Sequence, residues 1–182
     1  MTSLAQDFAN LFAGNLRSYG EWDPGTGNML THKREVTLEV YQAHLEGRRG
    51  LGVVPITDGD TCVFGAIDID KHDSPEDIDF KTIQARIVEY RLPLVMCRTK
   101  RGGAHLYLFG SEYLPAKQVQ RILASWRDML KIPYKTEIFP KQDSLVTSSG
   151  EKALGNWINL CYFDAKDSKR YAFDENCEPM TF

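Results

Sequence analysis

The chain has 182 residues, 42% hydrophobic, 26% charged and 11% aromatic, with a formal net charge of -3. Such a chain buries one sizeable core, which excludes disorder, collagen and a coiled coil, and its small negative charge excludes a uniformly basic nucleic-acid binder. Any polyanion must then be held by a local patch or by metal. No apolar run approaches bilayer length, and the start, MTSLAQDFANLFAGN, lacks the basic and apolar regions of a signal peptide. A soluble, cytoplasmic protein with no membrane partner is expected.

In chain order, Leu4, Phe8, Leu11 and Phe12 recur at helical spacing after a Thr/Ser cap and predict a helix over 2–13. The segment YGEWDPGTGN at 19–28 reads as turn chemistry. Leu38, Tyr41 and Leu45 share a face, so a helix is expected over 37–46 with Gly47 as its stop. A strand at 51–56 and a turn at 57–60 follow. From Thr61 the pattern is regular: strand 61–70, helix 77–91, strands 94–98 and 104–109, helix 115–131, strand 136–139. That is βαββαβ, the order of ferredoxin-like and RNA-recognition (RRM-like) folds. Further strands are expected at 156–163 and 169–173. The expected organisation is one α+β domain over 1–182: an N-terminal helical and strand extension 1–50, a core 51–163 and a tail 164–182. Cys62, Cys97, Cys161 and Cys177 show no metal-ligand spacing and read as buried, reduced thiols.

Strand alternation puts Asp68 and Asp70 on one face and Ile67 and Ile69 on the other. Two helices covering the side of Ile67, Ile69, Leu106, Leu108 and Ile138 would leave Asp68, Asp70, His105, Tyr107 and Glu137 on an open face. With the usual strand order of this fold, Asp68, Asp70, His105 and Glu137 converge. Three close carboxylates need a counter-charge, and hard oxygen ligands call for Mg²⁺ or Mn²⁺, although a lone DxD is more often a solvated strand end. Between strands, RTKRGGAH at 98–105 is basic and glycine-rich, so the Gly102 and Gly103 amides could approach a phosphate. Arg98, Lys100, Arg101 and Lys141 are candidate partners for triphosphate charge, or plain surface cations. Asn156 could orient sugar or phosphate, or cap a turn.

Four stretches, GAIDID at 65–70, RTKRGGAHLYLF at 98–109, EIFPKQ at 137–142 and GNWINLCYF at 155–163, together resemble the archaeo-eukaryotic primase superfamily. The likeness is greatest to primase-polymerases of bacteriophages, plasmids and conflict systems. The resemblance implies that Asp68 and Asp70 are a metal pair, that Glu137 completes the metal site with Asp143 as a rival, and that His105 contacts the incoming nucleotide's phosphates. Thr99 stands where relatives often have serine, and Cys161 where they tend to have proline. It further implies template-directed nucleotidyl transfer to a 3′-OH by a two-metal mechanism, from dNTPs or NTPs on a single-stranded or primed DNA template, in DNA replication and a bacterial, phage or plasmid context. A helicase or helical priming domain outside this chain is the implied partner. Two other classes compete: an RRM-like module stacking single-stranded bases on Tyr107 and Phe109, and a cyclase or nuclease on a similar palm.

Overall fold

The computed structural model describes residues 3–70 and 79–181, and the first residues of the helix expected over 77–91 lie outside them. Helix α1 (Leu4–Leu11) starts where Ser3 Oγ accepts the Gln6 amide, the capping bond its sequence predicts. Segment 19–28 departs from the expectation of a turn throughout: strands β1 (Tyr19–Trp22) and β2 (Met29–His32) form a hairpin, and only the residues between them turn. Four residues beginning Tyr-Gly are too few to carry a period-two signal, so turn residues dominate the sequence pattern. Helix α2 (Leu38–Leu45) follows, then β3 (Gly50–Val53), which stops short of residue 56. With β8 (Ile158–Asn159) these strands form an antiparallel sheet in the order β2-β1-β3-β8. The strand expected over 156–163 is thus two residues long, and Tyr162 and Asp164 then turn with positive φ of 57° and 54°.

The second sheet holds β4 (Thr61–Ile69), β5 (Leu94–Arg98), β6 (Ala104–Pro115), β7 (Glu137–Phe139), β9 (Ala172–Phe173) and β10 (Pro179–Met180). Helices α3 (Phe80–Glu89) and α4 (Ala116–Met129) fall between its strands. Over 61–139 the order is β-α-β-β-α-β, and the sheet runs β10-β9-β5-β6-β4-β7 with every neighbour antiparallel. Strand β6 runs six residues beyond the expected end at 109, pairing with β4 past an irregularity between Cys62 and Phe64. Among the described residues no helix is long and apolar enough to cross a membrane.

Ile67, Ile69 and Leu106 pack under Ile83 and Ile87 of α3 and Val119 and Leu123 of α4, as alternation requires. The opposite face is not open. Phe64, Ala66, Cys97, Tyr107 and Phe139 on it pack against Phe8 of α1 and Phe12 at its C-terminal cap, and against Tyr19, Leu51 and Ile158 of the first sheet. The Phe12 ring lies 5.3 Å from Phe64, 5.2 Å from Tyr107 and 5.2 Å from Phe109. Burying such a ring stabilises by about 1.5–3 kcal/mol, so an amphipathic N-terminal helix takes the apolar face available, while the end of the sheet near Asp68 stays accessible. Of the four cysteines, Cys177 alone is half-exposed.

His44 joins these layers. Fully buried on α2, it accepts the Leu51 amide at Nδ1 (2.9 Å), so its Nε2–H donates to the Cys161 carbonyl (2.7 Å). Burial pulls its pKa from 6.5 to about 4. Between those values the unfolded chain binds more protons than the native one, so stability is complete above about pH 6.5 and declines as the pH falls toward 4. Urea unfolding at stepped pH should show a loss on the order of 3 kcal/mol from this group. His44→Gln, less stable at neutral pH, should lack that component.

Candidate nucleotide and metal site

Cross-strand pairing sets one row across five strands: Ala172, Cys97, His105, Asp68 and Glu137 stand opposite one another in turn. Asp68 is therefore flanked by His105 on β6 and Glu137 on β7, as alternation and strand order predict. Asp68 Oδ1 lies 3.1 Å from His105 Nε2, yet it is a buried oxygen with no aligned hydrogen bond among the described residues. Its surroundings explain why. The Tyr107 hydroxyl donates its single proton to the Asn159 carbonyl (3.0 Å), so the 2.8 Å contact with His105 must be donation from His105 Nδ1–H to Tyr107 Oη. His105 Nε2 then faces Asp68 Oδ1, and a proton or cation between the two atoms satisfies both. Tyr107 is fully buried, and desolvation holds its hydroxyl protonated. It cannot stack on a base, and Phe109 is engaged with Phe12 and Phe64.

A cleft of about 210 Å³ opens at this end of the sheet. Asp68, Asp70, His105, Arg98, Thr99, Lys100 and Arg101 line it together, as expected. Sequence reasoning missed Trp22 and Met29 of the hairpin, the Asn159–Cys161 segment and Arg170. Arg170 falls in the strand expected at 169–173, but no motif singles it out within the charged run KDSKRYAF, and the hairpin is far away in sequence, so no local signal marks either.

The basic loop is a closed turn. Thr99 N–H donates to the Gly103 carbonyl (2.9 Å), Gly102 N–H to the Thr99 carbonyl (3.2 Å) and Gly103 N–H to Thr99 Oγ1 (3.0 Å). Both glycine amides are spent inside the turn rather than facing a phosphate, and the Thr99 hydroxyl is engaged too. The glycines serve geometry: Gly102 has φ +81°, and a Cβ on Gly103 would lie 2.2 Å from the Ile69 carbonyl oxygen. Arg98 donates to the Lys169 carbonyl (3.0 Å), tying the tail to β5. Lys100 places its ammonium 3.2 Å from the centre of the Trp22 ring.

Glu137, Lys141 and Asn156 do not line the cleft. Glu137 pairs with Lys141 at 2.6 Å, and Asn156 bonds to Gln142. Asp143 faces Lys117 at 3.7 Å. Among the described residues no three His, Cys, Asp or Glu side chains gather to hold a metal ion, so the expected three-carboxylate cluster is not assembled. The reason is local: backbone register aligns Glu137 with Asp68, but an exposed glutamate reaches first for the ammonium one turn of sequence away. The part of the donor set in the cleft does fit a divalent cation, because Asp68 and Asp70 are hard oxygen ligands and one Asp68 oxygen is unsatisfied.

A family model described as the archaeo-eukaryotic primase domain of TOTE conflict systems matches residues 27–181. No curated protein matches the chain.

Removing the Tyr107 hydroxyl would strand the buried His105 Nδ1–H and the half-buried Asn159 carbonyl. Tyr107→Phe should therefore lower the unfolding free energy by about 1–3 kcal/mol, measured in urea at pH 7. A change within error would mean that water replaces the hydroxyl.

Proposed function

Because the chain belongs to the archaeo-eukaryotic primase family of TOTE conflict systems, we propose that it is a primase-polymerase: it extends a 3′-OH with dNTPs or NTPs on a single-stranded or primed DNA template. The family supplies the coarser statement, a primase-like nucleotidyltransferase acting with nucleotides and nucleic acid. The observation that carries the finer one is the unsatisfied, buried Asp68 oxygen in a cleft shared with Asp70, His105 and the basic turn. We read the 61–139 unit as an RRM-like palm, since its first and third strands are central and its fourth flanks the first.

In this reading Asp68 and Asp70 hold Mg²⁺ or Mn²⁺, and Glu137 joins them when Lys141 lets go. The chemistry that bound cations supply is activation of the 3′-OH and neutralisation of the leaving pyrophosphate. His105, whose ring is held by Tyr107, contacts the phosphates of the incoming nucleotide. Arg98 and Thr99 shape the turn, Gly102 and Gly103 let it close, and Arg101 adds charge at its tip. Lys141 exchanges Glu137 for an anion, and Asn156 supports the neighbouring loop through Gln142.

Labelled nucleotide incorporation on primed and unprimed single-stranded DNA, with Mg²⁺ or Mn²⁺, tests the reading. The parent should incorporate, and Asp68→Asn with Asp70→Asn should reduce the signal to background while the variant still unfolds cooperatively in urea. Normal incorporation by the double variant would overturn the assignment.

A further inference from the structure

Two thiols that the proposed chemistry does not use meet where the sheets join. Cys97 on β5 and Cys161, just past β8, are 2% and 5% exposed and lie in one core cluster. Backbone contacts bring them together. Ala172 on β9 stands opposite Cys97, its N–H donates to the Tyr162 hydroxyl (3.1 Å), and Tyr162 N–H donates to the Arg170 carbonyl (2.7 Å). His44 Nε2–H holds the Cys161 carbonyl from the other side. Within this frame the two thiols share a hydrogen bond, and that bond, followed by burial, keeps the Cys97 thiol protonated well above its ordinary range.

The surroundings of the two sulfurs differ. Cys161 lines the cleft with Arg98, Lys100, Arg101 and Arg170, whereas Cys97 is not among the lining residues. Thiolate is the nucleophilic form, and neighbouring cations together with a donated hydrogen bond favour it at Cys161. Cys62 has no such setting: burial pushes its thiol up to about 12. We propose that Cys97 and Cys161 are a peroxide-oxidisable thiol pair, with Cys161 as the attacking sulfur and Cys97 as the resolving one, whose disulfide ties the second sheet to the wall of the cleft. The Cys161 thiolate attacks one oxygen of hydrogen peroxide and the O–O bond breaks; the departing hydroxide takes up the proton that the thiol released, leaving a sulfenic acid and water. The Cys97 sulfur then attacks the sulfenic sulfur, the S–O bond breaks, and the hydroxyl leaves as water with the Cys97 proton. Two electrons pass from the sulfurs to the peroxide, which ends as two waters. A thiol this enclosed is open to a molecule the size of hydrogen peroxide and closed to a peptide disulfide. The S–S bond, about 2.05 Å long, draws Cys161 toward β5 and with it the segment that begins at Asn159, so oxidation is felt at the cleft. The proposal does not depend on the reading above.

The test is peptide mapping by mass spectrometry of the full, reduced chain, treated with hydrogen peroxide while folded and then alkylated under denaturing conditions. The parent should lose two hydrogens, yield one crosslinked pair of peptides carrying Cys97 and Cys161, and leave Cys62 and Cys177 alkylated; dithiothreitol before alkylation should restore all four thiols. Glutathione disulfide in place of peroxide should leave the four thiols free. Cys97→Ala removes the resolving sulfur, so dimedone should then trap a sulfenic acid on Cys161, while Cys161→Ala should leave Cys97 unlabelled. Four free thiols after peroxide, a disulfide through Cys62 or Cys177, a glutathione adduct on Cys161, or a dimedone adduct on Cys97 in a folded Cys161→Ala chain would each overturn the proposal. Mapping of the parent decides the pairing even where a variant fails to fold. None of these readouts uses nucleotide or template, so their outcome stands apart from that of the incorporation assay.

Discussion

One hydroxyl joins the two sheets of this protein. Tyr107 Oη, fully buried, donates to the Asn159 carbonyl of the first sheet and accepts from His105 of the second. A buried hydroxyl must satisfy both its proton and its lone pairs, so its partners cannot drift apart without stranding polar groups in an apolar layer. Through that requirement the ring of His105 is fixed in plane and tautomer, and the Asn159–Cys161 segment is fixed as the wall of the cleft. His44 repeats the device one layer out, using both ring nitrogens to hold the Cys161 carbonyl and the Leu51 amide.

The charges of the cleft follow from which chain segments those layers bring to it. The acidic end comes from a strand terminus, where Asp68 and Asp70 share a face. The cationic side is assembled from three distant places, the turn at 98–103, the hairpin carrying Trp22 and the tail carrying Arg170. One Asp68 oxygen, 3.1 Å from His105, lacks an aligned hydrogen bond, and among the described residues no carboxylate lies within ion-pairing distance of Arg170.

Glu137 and Lys141 show the opposite solution nearby. Both are on the surface, and their 2.6 Å pair forms because nothing else competes there. A pair this exposed contributes little to stability, so it is easily exchanged when a stronger partner arrives. The difference between Glu137 and Asp68 is thus one of burial rather than of register, which aligns them equally.

Period-two alternation in GAIDID and HLYLF, with the expected strand order, was enough to set Asp68 beside His105 and Glu137, and the pairing agrees residue by residue. The helices over Ile67 and Leu106 were equally legible, since one face of each is continuous in sequence. What covers the other face was not, because alternation says only which side chains share a side. Whether that side meets water or Phe12 depends on where an N-terminal helix settles, and that is decided by contacts between segments far apart in the chain. The same limit applies to the glycine turn, whose amides close on Thr99 instead of pointing outward, and to Glu137, captured by Lys141. Arg170 is the clearest case. A strand is expected around it, but its charged surroundings single out no one cation, and the packing of β9 beside β5 sets it against Trp22. The sequence by itself determined which residues share a strand face and hence the acidic row; the tertiary structure alone decided which of them are buried, which are already paired, and which cations face them, because burial and pairing belong to the assembled surface and have no local period.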